Sequence, residues 1–317
     1  MKISRRSFIG GVAGCSLLAA PFAGFSETGN KFPVLFDTDI GDDIDDAACL
    51  AYLLSQPRCE LLGVTTEFGS NVERARLVSA FCMAAGRDDV PIHAGQPFSM
   101  KGKPFKMHPS QAKVLSNWPH RKDFEEGTAV DFLYETIMSR PGEITLLAVG
   151  PLTNIGRLFK EHPDVAGNLA RVVLMNGHFT APVGEWNAIG DKAATRAVYE
   201  APVPSLVSVG LNVTLKCRIS AAEARERFRG GGVPDLVAEM AEVWFDRAPF
   251  IIFHDPLAAV SIFEPDVLAY KDVKVYSRNG LTLVNHFARE RPHRIATDVD
   301  RDRFFDHYFD VVSGSVQ

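Results

Sequence analysis

The chain has 317 residues, enough for one large α/β domain, and 46% of them are hydrophobic, which supplies a sizeable core and excludes extended disorder. Its formal net charge is −5 at neutral pH, and setting aside Lys2, Arg5 and Arg6 near the N-terminus takes that to −8. A balance this acidic excludes a protein held to nucleic acid by phosphate neutralisation.

Residues 1–26 read as a leader rather than as part of the fold. Ser4-Arg5-Arg6-Ser7-Phe8-Ile9 precedes an apolar, Ala/Gly-rich stretch ending at Phe25, the layout of a twin-arginine export signal, so the mature chain is expected in the periplasm. Glycines, Ser16 and Pro21 interrupt the apolar run, which argues against a stable membrane anchor. Val12-Ala13-Gly14-Cys15 also looks like a lipoprotein cleavage box. The apolar run is very short before Cys15 and continues after it, so ordinary cleavage near Ser26 is expected and lipidation is the lesser alternative. Residues 32–317 then read as a single domain.

The domain opens on Val34-Leu35-Phe36, an apolar run predicting a buried strand, followed by Asp37, Asp39, Asp42, Asp43, Asp45 and Asp46. Gly41 supplies the turn, and a helix is expected from Asp46. Asp37 and Asp39, two apart at the end of a strand, fall on one face at its carboxyl end, the edge where open α/β sheets bind ligands. Clustered carboxylates raise one another's pKa and destabilise the fold unless a counter-charge cancels them, and oxygen donors suit a hard cation such as Ca²⁺ or Mg²⁺. Aspartates in a first helical turn also act as caps, the role expected of Asp42.

Cys59–Thr66 predicts a second strand, residues 72–85 a second helix and Val90–Gly95 a short third strand. The alternation predicts an open, mostly parallel, Rossmann-like sheet flanked by helices. Residues 96–126 carry prolines, scattered Lys and His and no period, a long loop of the kind that is usually functional. A helix at 128–138, a central strand at Glu143–Gly150 and a helix from Pro151, capped near Thr153 or Asn154, come next. A strand at Arg171–Met175, a loop to Asn187, a helix at Asp191–Tyr199, a strand at Pro204–Val209 and helices near 220–229 and 234–247 follow. Shorter alternating runs at Val273–Tyr276, Leu281–Asn285 and His293–Thr297 predict a small antiparallel extension at the sheet edge, before a last helix from Asp300. Cys49, Cys59, Cys82 and Cys217 lack Cys-x-x-Cys spacing, which disfavours zinc; Cys49 and Cys82 are expected as buried thiols, and one disulfide stays open.

Five segments share one resemblance. Asp37-x-Asp39-x-Gly41 with Asp45-Asp46-Ala47, Gly150-Pro151-Leu152-Thr153-Asn154, Glu185-Trp186-Asn187, His254-Asp255-Pro256 and, more softly, Gly69-Ser70-Asn71 resemble the signatures of the inosine-uridine-preferring nucleoside hydrolases. The resemblance implies an N-glycosidase that cleaves ribonucleosides to ribose and free base, with Ca²⁺ held by Asp39, Asp46, the Val149 carbonyl and Asp255. Asp39 would then be the general base, His254 would lie beside the leaving base, and Asn71, Glu185 and Asn187 would bind the ribose. The family pattern has Pro where Ile40 stands and two fewer residues before the paired aspartates, so its first paired aspartate, a ribose ligand, corresponds to Asp43 or Asp45. A homo-oligomer, dimer or tetramer, is implied as well.

Two departures bear on the substrate. Phe179 stands where the family carries a sugar-binding Asn, and the 96–126 loop has Met107-His108-Pro109 where the family has a His-Gly segment. Phe105, His108, Trp118 and His120 are the candidates there to stack on or protonate the leaving base, and hydrolysis of a different N-riboside stays open. A dehalogenase-type phosphatase needs Thr or Val at Gly41, and an EF-hand needs an oxygen ligand there. An exported binding protein lacking catalysis is the remaining alternative, against which the retained carboxylates speak.

Overall fold

In the computed structural model Val34, Leu35 and Phe36 are wholly buried within β1 (Phe32–Thr38), which pairs in parallel on both sides, with β2 (Cys59–Thr66) and β4 (Thr145–Ala148). A strand flanked in this way has no solvated face, which is why its sequence is nearly continuous in apolar residues. Val34 and Phe36 enter the core on one side of the sheet and Leu35 the core on the other, as the alternation of a strand requires. The structure describes residues 31–315; the export-signal and lipoprotein-box readings fall outside them.

The strands β3 (Ile92–Ala94), β5 (Arg171–Met175), β6 (Leu206–Val209), β9 (Leu268–Arg278), β10 (Leu281–Asn285) and β11 (His293–Val299) complete a nine-stranded sheet ordered β10-β9-β11-β6-β5-β4-β1-β2-β3. Its order reverses direction between β1 and β4, and the carboxyl ends flanking that reversal are where a doubly wound sheet binds its ligand. The antiparallel extension is the β9–β10 hairpin, with β11 antiparallel to β9. β11 differs from the sequence expectation in one respect: it also runs parallel to β6, which splices the extension into the main sheet.

The helices are α1 (Asp45–Ser55), α2 (Asn71–Ala84), α3 (Ala129–Ser139), α4 (Thr153–Glu161), α5 (Trp186–Gly190), α6 (Lys192–Glu200), α7 (Leu211–Thr214), α8 (Ala221–Arg227), α9 (Val233–Phe245), α10 (His254–Phe263) and α11 (Arg301–Val312). A two-stranded antiparallel pair, β7 (Arg218–Ser220) and β8 (Phe250–Ile252), leads into α10. α1 is buried from Asp45 to Leu53 because α2, α9, α10 and α11 surround it, which explains a composition apolar on every face. All four cysteines among the described residues are free and buried, so no disulfide forms.

One expectation about helix ends is corrected and one holds. Asp42 does not cap α1: the N-cap is Ile44, without a side-chain bond, and Asp42 instead pairs with Arg74 at 2.7 Å. The start of α4 falls near Thr153 and Asn154 as expected: they are its first two residues, after an N-cap Leu152 in a left-handed conformation at φ 66°.

Candidate active site

A cavity of about 350 Å³ opens at the switch point, lined from the end of β1 and the following turn by Asp39, Asp42, Asp43, Asp45 and Asp46. Val149 and Met175, after β4 and at the end of β5, line it too, as do Glu185 and Asn187 before and within α5 and His254 and Asp255 at the start of α10. Sequence positions more than two hundred residues apart thus meet because each follows a strand or opens a helix on one sheet edge. Of the residues proposed for the metal, the base and the ribose, only Asn71 lies off this wall. It is buried, and its amide donates to the carbonyls of Gly95 (2.9 Å) and Gln96 (3.0 Å), fixing the start of the long loop.

Asp45, Asp46 and Asp255 form the tightest group: one carboxylate oxygen from each lies within 4.8 Å of the others, and all three are buried. Asp39 lines the same cavity, close enough for its charge to act on Asp46 and Asp255. Asp45 also accepts the Asp255 N–H at 3.2 Å, which ties α1 to α10, and Asp46 accepts the Thr38 hydroxyl. Burial and mutual repulsion drive the carboxyls of Asp45, Asp46 and Asp255 well above their ordinary range. Burial pushes Asp39 up to about 7, against the pull of the Arg74 guanidinium. It pushes Asp43 up to about 6 while the Ile44 N–H, which donates to it at 2.6 Å, opposes the shift.

Two buried charged residues that the sequence reading missed hold this arrangement. Arg74 of α2, with no exposure, donates to the carbonyls of Asp39, Ile40 (2.8 Å) and Phe68 (3.1 Å) as well as to Asp42. One fixed guanidinium therefore offsets part of the negative charge, leaving the rest for a mobile cation. Glu67, after β2, accepts the N–H groups of Leu152 (2.8 Å), Thr153 and Asn154 (3.2 Å), capping α4 across the switch point in place of a local cap. The glycine of the Gly-Pro-Leu-Thr-Asn turn is required by this packing, because a Cβ on Gly150 would stand 2.5 Å from Glu67 Oε1 and 3.1 Å from Asp39 Oδ1. Asn154 in turn donates to Asp37 at 2.8 Å, and burial raises that carboxyl to about 6.

Glu185 and Asn187, which the sequence reading left in a loop, instead open a short helix. Glu185 is the N-cap of α5, accepting from Gly177 (3.0 Å), Asn187 (2.6 Å) and Ala188 (2.9 Å) N–H groups, and burial raises its pKa against those bonds. The Asn187 amide donates to the Val149 carbonyl and, at 3.1 Å, to that of Met175. A carbonyl has two lone pairs, so Val149 keeps one for a further partner. His254 Nδ1 shares a 2.7 Å hydrogen bond with Thr214, and burial lowers the ring's pKa to about 4, so it is neutral at physiological pH.

The family model for the inosine-uridine preferring nucleoside hydrolases matches residues 34–306. The chain belongs to that family. As a nucleoside hydrolase it is an N-glycosyl hydrolase that cleaves ribonucleosides, and the family is metal-dependent, in keeping with the buried carboxylate group. Uridine nucleosidase 1 of Arabidopsis thaliana is 29% identical over 262 residues, 77% of each chain. A pyrimidine-specific ribonucleoside hydrolase of Citrobacter koseri is 28% identical over 314 residues, covering 86% of this chain and 96% of its own. The fold is shared with a plant nucleoside hydrolase at TM-score 0.79 and 24% identity, covering 89% of this chain and 98% of that one. It is shared equally with a purine-preferring ribonucleoside hydrolase from Gardnerella vaginalis, at TM-score 0.78 and 22% identity over the same shares.

Around the hydrolase's cavity mouth stand Trp186, Trp244, Arg247, Leu211 and Met107. Trp244 and Arg247 come from the end of α9 and the turn after it, which carries no motif and signals its role only through position. Met107 is the 96–126 loop's own contribution. The four loop residues proposed for the leaving base do not line this cavity: Phe105 packs on Phe68, His108 bonds Ser70, Trp118 donates to Glu239, and His120 bonds the Trp118 carbonyl. Phe179 lies outside it too, against Gly177 and Gly210.

Proposed function

We propose that this enzyme is an exported, Ca²⁺-dependent ribonucleoside hydrolase in which Asp39 accepts the proton of the attacking water. The observation that carries the reading is the meeting of Asp39, Asp45, Asp46, Asp255, Glu185, Asn187 and His254 around one cavity at the switch point. The donor set fits a hard cation: three buried carboxylates converge, oxygen is the only donor element they offer, and the single buried Arg74 leaves negative charge uncompensated. Asp39, Asp46, Asp255 and the free lone pair of the Val149 carbonyl would hold the ion, with Asp45, which converges with Asp46 and Asp255, beside them. When bound, calcium supplies positive charge that favours ionisation of the attacking water and anchors vicinal hydroxyls.

Asp39 is 8% exposed, so it reaches the cavity, and a cation bound beside it would favour the carboxylate form that accepts a proton as a general base. Cleavage passes through an oxocarbenium-like state, which the surrounding carboxylates stabilise electrostatically. A carboxylate has about four lone-pair sites. Glu185 spends three on its own helix and Gly177 and keeps one for a ribose hydroxyl. Neutral His254 orients the leaving base instead of protonating it, and Trp186 and Trp244 offer faces for that base to stack on. The names of the curated relatives support placing pyrimidine ribonucleosides first among the substrates.

The reading is tested by metal analysis and chelation. Protein purified without chelator should carry about one equivalent of calcium and lose turnover when the ion is stripped, recovering it on calcium addition. Far less than one equivalent, with turnover indifferent to chelator, contradicts the proposal.

A further inference from the structure

A second cavity, of about 620 Å³, adjoins the first and shares Met107 with it. Its walls include Lys101, Lys103, Lys106 and Lys192. Between Val90 and Lys122 the chain has six Lys or Arg and neither Asp nor Glu, in a protein whose net charge is negative. The four lysine ammoniums form no ion pair among the described residues. Asp191 also lines this cavity, but its lone pairs are turned inward: one oxygen accepts the N–H groups of Ala193 and Ala194 at 3.2 Å each, the other that of Met100 at 2.7 Å and the Thr153 hydroxyl at 3.2 Å, so one carboxylate faces four ammoniums.

Like charges gathered without partners repel one another, and the arrangement calls for an anion. Phe68 separates the two cavities. Held at φ 70°, its ring packs on Phe105 of the lysine-lined cavity at 4.5 Å and meets Trp186 of the catalytic one edge-on at 6.1 Å. An extended ligand seated in the catalytic cavity therefore has a charged neighbouring space to enter, past Met107.

We propose that the lysine-lined cavity binds a phosphate group carried by the substrate, so that phosphorylated ribonucleosides, the 5′-monophosphates being the simplest, bind more tightly than their parent nucleosides. The proposal rests on the hydrolase reading above and names its substrate class. The reaction stays balanced: a water oxygen bonds to C1′, the C1′–N bond breaks with its electron pair leaving on the base, the base gains a proton, and the phosphate ester is untouched. Lysine suits this role because it binds phosphate as a point charge without demanding one orientation.

The test measures KM and kcat for uridine and uridine 5′-monophosphate with the full chain and with the Lys103→Glu/Lys106→Glu variant, alongside calorimetric binding of inorganic pyrophosphate. The monophosphate KM should be at least tenfold below that of uridine in the unaltered protein, and that ratio should collapse toward one in the variant while the unfolding midpoint holds. A monophosphate KM equal to or above that of uridine overturns the proposal, as does a ratio the variant leaves unchanged. Stimulation of uridine turnover by inorganic phosphate without any advantage for the monophosphate overturns it in favour of a free-ion effector. If neither compound releases base, the hydrolase reading fails on these substrates. Pyrophosphate binding then decides the site alone: binding lost in the variant supports it, and no binding in either protein overturns it.

Discussion

Asp39 is the residue on which the chemistry turns, and its surroundings allow a clean test. Arg74 reaches the Asp39 main-chain carbonyl, not its carboxylate, so Asp39→Asn removes the base and leaves that anchor in place. The variant should lose on the order of 10³-fold in kcat with little change in unfolding midpoint, because a general base contributes about 10²–10⁴-fold. A near-normal rate would assign the proton transfer to another carboxylate. The aspartates were legible in the sequence because six of them crowd residues 37–46, a local signal. Arg74 and Glu67 were not: Arg74 sits between Glu73 and Arg76 in what reads as a solvated helix face, Glu67 is a single charge after a strand, and their partners stand up to 35 and 87 residues away. The amide Asn71 was misplaced for the complementary reason, since a Gly-x-Asn turn does not say whether the side chain faces the cavity or the next strand.

At the scale of elements, the strands and helices around the switch point followed from periodicity, because apolar runs of four to eight residues bounded by turns leave few alternatives. The helix starts were harder, since α4 takes its cap from Glu67 on a different strand and α5 is a single turn made by Glu185. The long loop docks on the aspartate turn through Gly41, whose carbonyl accepts the Gln111 N–H at 3.0 Å. Gly41 has φ +117°, and a Cβ there would stand 2.5 Å from the Pro109 Cβ. Gly41→Ala should therefore destabilise the protein by about 1–3 kcal/mol and raise KM as Met107 shifts with the displaced loop. Equilibrium denaturation and steady-state kinetics of the variant check this; unchanged values in both would show that the loop is not anchored at this turn.

Across the whole molecule, the pairing of β9 with β11 carries a pH dependence separate from the site. His293 of β11 accepts the Val275 N–H of β9 through Nδ1 at 2.8 Å, and burial lowers its pKa to about 4 from an ordinary value near 6.5. Protonation removes the acceptor, so its contribution is complete above about 6.5 and is lost as pH falls toward 4. Unfolding midpoints of the parent and of His293→Asn, whose amide oxygen still accepts a hydrogen bond, should converge or cross between pH 6.5 and 4. A constant gap over that window would remove His293 from the account. The central claim concerns the cavity itself, where a cation and Glu185 are assigned to the ribose hydroxyls. Free-sugar release from matched ribonucleosides and 2′-deoxyribonucleosides tests it most directly. A hydroxyl lost from a buried polar site leaves its partners unsatisfied, so the ribo compounds should be cleaved at least a hundredfold more efficiently in kcat/KM, about 2.7 kcal/mol. Equal efficiencies on the two series would contradict the account.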